Sequence, residues 1–212
     1  MSEDWFELWE FARAEAEKLG LEWHIYDEFT APGGHAGGHT VARAPHVAQQ
    51  QLKLVPVVDP DARFRSGLLG WFAVDPGSRT LRTIDDAESR KASLKNPVFA
   101  AVRERVNPKH SGNEFPLPDL THPDAVQAFI ESTYVPYHEH SGKGFGSSVR
   151  FSFCDEPHLN AESDAWPMSL HLLREFQQEH GFALEDHLED LFGATAESPR
   201  VRYQYWSTLN RL

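Results

Sequence analysis

Apolar residues at the start of the chain recur with the spacing of one face of a helix. The stripe is made up of Trp5, Leu8, Trp9, Ala12, Ala16 and Leu19. Gly20 follows at a position where helices commonly end. The pattern predicts an amphipathic helix that ends at Gly20 and needs an apolar partner beside it.

Two segments alternate apolar and polar residues, as strands do. Leu21, Trp23 and Ile25 alternate with Glu22, His24 and Tyr26, and Val149, Phe151 and Phe153 alternate with Arg150, Ser152 and Cys154. Acidic pairs follow both segments, Asp27–Glu28 after the first and Asp155–Glu156 after the second. Because residues two apart share a face of a strand, we expect helices to cover the apolar faces. His24, Tyr26, Glu28 and Glu156 are then predicted to point inward.

Shorter patterns predict the remaining elements. They are a strand over Gln51–Val58, a hairpin of Leu68–Val74 with Thr80–Ile84, a short helix near Val98–Arg105, a helix from Pro123 bent at Pro136, a helix ending at His180–Gly181 and a helix from Ser198. Helices that alternate with strands favour βα units around a parallel sheet. We therefore expect an α/β fold, a partial (β/α)8 TIM-type barrel with an inserted β-hairpin, in one domain over residues 1–212.

The charge composition of the chain disfavours some classes of binding partner. The chain has 20 Lys and Arg against 32 Asp and Glu, a formal charge of -12, which repels phosphate backbones and anionic membranes. We expect no nucleic-acid or membrane partner, and apolar runs nowhere approach the length of a membrane helix. The acidic start shows no export signal, so the default location is the cytoplasm. With a single cysteine, Cys154, the chain offers neither an internal disulfide nor a cysteine-based zinc site.

Histidine clusters and the glycine-rich loop offer alternative chemistry. His35 with His39, and His138 with His140, are the closest histidine pairs, but glycines separate the first and the second diverges on a helix, so no metal site is assigned. The loop at residues 32–39 lacks the lysine and the spacing of a phosphate-binding motif. A turn that brings backbone close to a sugar and a plain flexible loop are both left open.

The two acidic pairs suggest glycoside hydrolysis. In a barrel of parallel strands the site lies at the C-terminal strand ends, so Glu28 and Glu156 should converge there. One carboxyl would protonate the leaving oxygen and another would activate water or attack the sugar. The alternative is that Asp27–Glu28 and Asp155–Glu156 are ordinary capping or loop-entry acids.

Several motifs in order resemble those of α-L-rhamnosidase-like glycoside hydrolases, notably family 106. The pattern YDE, a short gap and PSGxAGG is similar to Tyr26–Glu28 followed by residues 32–38, with Gly33 in place of serine. The strand ending in DEP is similar to residues 151–157, with Ser152 and Cys154 as departures. Downstream landmarks also occur in the family's order, at Phe176, residues 181–184, Leu191–Phe192 and residues 202–206. The resemblance covers nearly the whole chain.

The resemblance implies a catalytic barrel within a larger enzyme. Glu156 matches the DEP glutamate and is the expected general acid, while Asp27, Glu28 and Asp155 are expected to contact sugar or metal. His24 and Tyr26 join them as substrate-binding candidates because they share the inward face. Calcium is possible by the same resemblance.

Because a whole barrel takes about 250 residues, we expect a fragment that self-associates through uncovered barrel edges and has little activity alone. A non-catalytic carbohydrate-binding or structural remnant is the alternative function.

Overall fold

The chain is an α/β protein made of two compact units. The computed structural model describes residues 1–57, 66–75, 77–78, 80–91, 97–111, 114–157, 159 and 161–212. One unit comprises Met1–Ala48 with Ser111–Leu159, and the other comprises Gln49–His110 with Asn160–Leu212. The second unit is thus formed by an insertion into the first and by the segment that follows it.

The elements of the described residues run in the following order. The helices are α1 Glu3–Lys18, α2 His39–Arg43, α3 Asp86–Ser89, α4 Pro123–Ser132, α5 Tyr134–Ser141, α6 Leu170–His180, α7 Leu188–Phe192 and α8 Ser198–Arg211. The strands are β1 Trp23–Tyr26, β2 Gln50–Pro56, β3 Leu68–Val74, β4 Leu81–Ile84, β5 Val98–Arg105, β6 Val149–Phe153 and β7 Trp166–Pro167. Short 3-10 turns lie at Ala36–Gly38, Pro45–Val47, Pro108–Ser111, Gly142–Gly144 and Leu184–His187. No helix among these is both long and apolar enough to cross a membrane.

The first unit packs α1 and α5 on one side of a short parallel sheet. Strands β1 and β6 run parallel, as the sequence predicts for these two segments. Their core consists of Phe6, Trp9, Ile25, Tyr137 and Val149. The predicted helix α1 is present, with the Ser2 side chain accepting a hydrogen bond from the backbone of Trp5. Its buried face differs from the predicted stripe, since Phe6 is buried whereas Leu8 is 68% exposed.

The predicted face of β6 is wrong. Phe151 and Phe153 are 57% and 54% exposed instead of lying under helices. The pairing of β1 with β6 shifts between Trp23 and Ile25, so Ile25 lies opposite Ser152. A one-residue shift moves every following side chain to the other face. Phe151 and Phe153 therefore share a face with His24 and Tyr26.

The second unit is built on an antiparallel sheet in the order β4-β3-β5-β2-β7. The predicted hairpin of β3 and β4 is confirmed. The strand predicted over Gln51–Val58 is β2. Val58, the predicted last residue of β2, and Pro76, which lies between β3 and β4 in the sequence, are outside the described residues. The helices α6 and α8 are also confirmed. The core is Leu52, Phe72, Ala101, Met168, Leu172, Leu173, Phe176, Leu184, Leu188, Leu191, Val201 and Tyr205.

The prediction of a helix near Val98–Arg105 is wrong. This segment is β5, which lies between β3 and β2 at the centre of the sheet. Ala100 and Ala101 are both fully buried, so the strand is covered on both faces and shows no simple alternation. A short apolar run of this kind cannot be told from a buried helix by periodicity alone.

The α/β class is confirmed, but no sheet of the described residues closes into a barrel. The helix predicted from Pro123 is divided into α4 and α5 at Thr133, earlier than the bend expected at Pro136. The order β1, α4, α5, β6 with β1 and β6 parallel is the arrangement of a βα unit.

Candidate functional site

The C-terminal ends of β1 and β6 lie at the same edge of the parallel sheet. Tyr26 is paired with Phe153, and the backbone N–H of Asp27 donates to the carbonyl of Phe153 at 3.1 Å. The glycine-rich loop is tied to the same edge, because the N–H of Gly33 donates to the carbonyl of Asp155 at 2.8 Å. We call this the strand edge, comprising His24, Tyr26, Asp27, Glu28 and residues 151–156.

Asp27 is a buried carboxylate at the strand edge, 2% exposed. The hydroxyl of Tyr134, the first residue of α5, donates to its Oδ2 and lies 3.3 Å from Ser152 Oγ. Burial and the bond to Asp27 raise the pKa of Tyr134 to about 12, so the phenol stays protonated and a donor. The other oxygen, Oδ1, is buried without a hydrogen-bond partner among the described residues. Buried acceptors usually have a hydrogen-bond donor, so Oδ1 is an oxygen to which a further group would have to donate.

The side chain of Glu28 is hydrogen-bonded to that of Tyr26, two positions earlier in the sequence. The Tyr26 hydroxyl donates to Glu28 Oε2 at 2.7 Å, and this bond is the main reason why the pKa of Tyr26 rises to about 12. Glu28 Oε1 is buried and has no hydrogen-bond partner within the described part of the chain. The two successive carboxylates thus each keep one acceptor oxygen for a further donor.

Aromatic rings cover the open face of the sheet. The rings of His24 and Phe151 stack with centroids 3.4 Å apart, and those of Tyr26 and Phe153 lie 5.6 Å apart. Tyr26, Phe151 and Phe153 are each more than half exposed. We call these four rings the aromatic face. It places apolar surface directly beside the carboxylates.

Asp155 and Glu156 follow β6, and Glu156 has an unusual backbone conformation. Glu156 is exposed and has a φ of 45°, in the left-handed region that non-glycine residues seldom adopt. Such conformations cost about 1–3 kcal/mol and occur often at functional sites. Glu156 is thus the one residue of the strand edge with a backbone in the left-handed region.

Cys154 is an exposed cysteine beside the acids. Desolvation of the thiol and the nearby charge of Asp27 raise its pKa to about 11, with smaller contributions from Glu28 and Asp155. The thiol is therefore protonated at neutral pH and is a poor nucleophile, because the thiolate is the reactive form. Its position fits a packing role at the strand edge.

The glycine-rich loop is closely packed and is not a plain flexible loop. A Cβ at Gly33 would lie 2.5 Å from Cys154 Sγ and 2.7 Å from the Asp155 carbonyl oxygen. His35 is 1% exposed, and its Nδ1 lies 2.7 Å from Thr30 Oγ1. Thr40 Oγ1 also donates to the carbonyl of Gly34 at 2.6 Å. The loop thus brings its backbone against the strand edge.

The predicted site residues His24, Tyr26, Asp27, Glu28, Asp155 and Glu156 all belong to the ends of these two paired strands. Their roles toward a substrate stay predictions. Tyr134 is not among the site residues that the sequence predicts. Tyr134 is 107 residues from Asp27, and no local pattern reports that contact.

One group among the described residues has the geometry to hold a metal ion: His46, His122 and Asp124. Nε2 of His46 lies 2.7 Å from Asp124 Oδ2, and Nδ1 of His122 lies 3.9 Å from the same oxygen. Among the described residues, the carboxylates of the strand edge do not bring three ligand atoms within 4.8 Å of one another, the spacing that a calcium ion held by them would need. The chemistry of the strand edge is therefore derived from its side chains alone.

Comparison of the chain with protein-family models, with curated proteins and with solved structures returned no match.

Proposed function

We propose that the strand edge binds carbohydrate and that the protein is a glycoside hydrolase-like enzyme with Glu156 as proton donor. The observation that supports this most is that two neighbouring parallel strands both end in acidic pairs at one edge. Neighbouring strands are about 5 Å apart. The carboxyl groups of residues that follow two neighbouring strands can therefore lie at the separations of about 5–10 Å that glycosidases use.

Each part of the strand edge has a role in this proposal. Glu156 gives its proton to the leaving oxygen of the glycosidic bond, which lets the bond break without releasing an alkoxide. Glu28 and Asp27 accept hydrogen bonds from sugar hydroxyls through Oε1 and Oδ1, the oxygens that lack partners among the described residues. Asp155, the residue directly before Glu156, offers a further acceptor group for sugar hydroxyls at the same edge.

The aromatic face supplies the apolar half of a sugar site. Sugar rings present C–H groups on one side and hydroxyls around the rim. The exposed rings of Tyr26 and Phe153 offer flat apolar surface beside acceptor oxygens. This combination fits a neutral, hydroxylated ligand better than a phosphate, which the charge of -12 repels.

The finer fold proposal is that β1 and β6 are adjacent strands of a (β/α)8-type barrel. Their parallel pairing and the helices α4 and α5 before β6 support it. The motifs similar to α-L-rhamnosidase-like enzymes make α-L-rhamnosides the first substrates to examine. The second candidate function is carbohydrate binding without hydrolysis, which the exposed aromatic face favours because it serves binding without any proton transfer.

The test combines turnover with binding. The chain is assayed against a panel of aryl glycosides that includes α-L-rhamnosides, with Glu156→Gln as the variant and Glu7→Gln, an exposed position on α1, as the control. Hydrolysis that Glu156→Gln abolishes and Glu7→Gln leaves unchanged supports the hydrolase. Saturable sugar binding without turnover supports only the carbohydrate-binding part of the proposal, and absence of both contradicts the two proposals together.

A further inference from the structure

Three potential metal ligands of the first unit, none of them part of the strand edge, lie close together. Nε2 of His46 is 2.7 Å from Asp124 Oδ2, His122 Nδ1 is 3.9 Å from that oxygen, and one ligand atom from each residue lies within 4.8 Å of the other two. The rings of His46 and His122 meet edge to face with centroids 5.4 Å apart. The site proposed for sugar chemistry uses none of these groups.

The two segments that carry the three ligands are packed against each other. His46 lies in the turn Pro45–Val47, and Val47 accepts a hydrogen bond at 2.7 Å from the backbone N–H of Asp119. His122 is the N-cap residue of α4, and Asp124 lies in its first turn. Apolar residues of both segments share one buried cluster, made up of Ala44, Val47, Ala125 and Ala128. The two ligand-bearing segments are therefore fixed against each other before any ion binds.

The ligand atoms of these three side chains suit a transition metal better than calcium or magnesium. Two imidazole nitrogens and one carboxylate oxygen suit zinc, whereas calcium and magnesium prefer oxygen ligands alone. Tetrahedral zinc with ligands at about 2.0–2.1 Å places the ligand atoms about 3.4 Å apart. The observed separations of 2.7 and 3.9 Å lie on either side of that value, so small side-chain movements would complete the geometry.

We propose that His46, His122 and Asp124 form a zinc site with three protein ligands and an open fourth position. His46 and Asp124 are exposed, which gives the ion a route in and leaves water access to the fourth position. The ion would link the turn Pro45–Val47 to the start of α4.

Zinc binding would replace hydrogen bonds that these ligands make within the described part of the chain. Nδ1 of His122 accepts the backbone N–H of Asp124 at 3.1 Å, and that lone pair would pass to the ion. Nε2 of His46 contacts the Asp124 carboxylate, so its proton moves to Nδ1 of the same ring or to solvent when Nε2 binds zinc. The freed N–H of Asp124 lies at an exposed helix start, where water can accept its hydrogen bond.

The test measures zinc binding by the full chain after chelator treatment. Calorimetry with zinc chloride should give one ion per chain, and cobalt in its place should give the visible absorption of a tetrahedral complex. His46→Gln and Asp124→Asn should each weaken binding by at least about 100-fold, more than the loss of an outer contact. Because both positions are exposed, the variants should fold, which circular dichroism checks.

His140→Gln is the matched control, since His140 also contacts an acid, Glu3, in the same unit. It should bind zinc as the unmodified chain does, and zinc should raise the melting temperature of both. Absence of stoichiometric binding, or equal affinity in the His46→Gln, Asp124→Asn and His140→Gln variants, would overturn the proposal.

Discussion

The hydroxyl of Tyr134 donates a hydrogen bond to the buried carboxylate of Asp27, which joins the start of α5 to the end of β1. Through this bond the helix that precedes β6 fixes the first acid after β1. The second oxygen of Asp27, Oδ1, is buried without a hydrogen-bond partner among the described residues. The position of the acid therefore depends on a residue distant in sequence.

Tyr134→Phe should destabilise the protein by about 1–3 kcal/mol, because it leaves a buried carboxylate oxygen without its donor. Urea unfolding followed by circular dichroism measures the change. Tyr203→Phe is the control, since Tyr203 is 74% exposed and should change the free energy of unfolding little. Equal stability of the two variants would show that the bond to Asp27 contributes nothing.

Gly33→Ala should also destabilise the protein, by about 1–3 kcal/mol, because the added Cβ overpacks the contact with Cys154 Sγ and the Asp155 carbonyl. Combining it with Cys154→Ala should recover part of the loss, since the sulfur is removed while the carbonyl stays. Gly142→Ala is the control, as its Cβ would find its nearest neighbour at an ordinary 3.4 Å. Full stability of Gly33→Ala would contradict the close approach of loop and strand edge.

Much of the fold follows from local pattern, but the faces of the strands do not. The helices α6 and α8 and the hairpin of β3 and β4 match the sequence prediction, because each has a clear period or turn signal. The sequence predicts the wrong face for β6 because the irregular pairing between Trp23 and Ile25 reverses the alternation. It predicts a helix in place of β5 because burial on both faces removes the period of that strand.

In the candidate site, too, a local pattern predicts some residues, whereas others are brought together only by tertiary packing. The acidic pairs were found because each directly follows a strand, which is a local signal. The contact of Tyr134 with Asp27 and the group of His46 with Asp124 join residues 107 and 78 positions apart, so only tertiary packing reveals them.

Cys154 should react slowly with iodoacetamide at neutral pH although it is exposed. Desolvation and the charge of Asp27 raise its pKa to about 11, so the thiolate fraction and the alkylation rate should keep rising to that pH. Asp27→Asn should lower the midpoint of the pH–rate profile by removing the largest nearby charge. A midpoint of the pH–rate profile near the ordinary thiol pKa of about 8.5 in the unmodified chain would contradict the raised pKa of Cys154.

The chain should self-associate through the parallel sheet of β1 and β6, whose strands are both edge strands and whose aromatic face is exposed. Light scattering over a range of concentrations should show a rising mass. The double variant Phe151→Ser, Phe153→Ser should stay smaller, whereas Tyr203→Ser, which removes an exposed ring elsewhere, should behave as the unmodified chain. Concentration-independent monomer mass in the unmodified chain would exclude this self-association.

The central claim is that the strand edge is a carbohydrate site, and a sugar titration of the ¹⁵N-labelled chain followed by NMR tests it most directly. L-Rhamnose and a panel of other neutral monosaccharides should shift the amide signals of residues 26–31, Gly33 and residues 151–156 in a saturable way. Glu28→Gln should weaken the response and Glu7→Gln should leave it unchanged. Shifts confined to other residues, or none at any accessible sugar concentration, would contradict the claim.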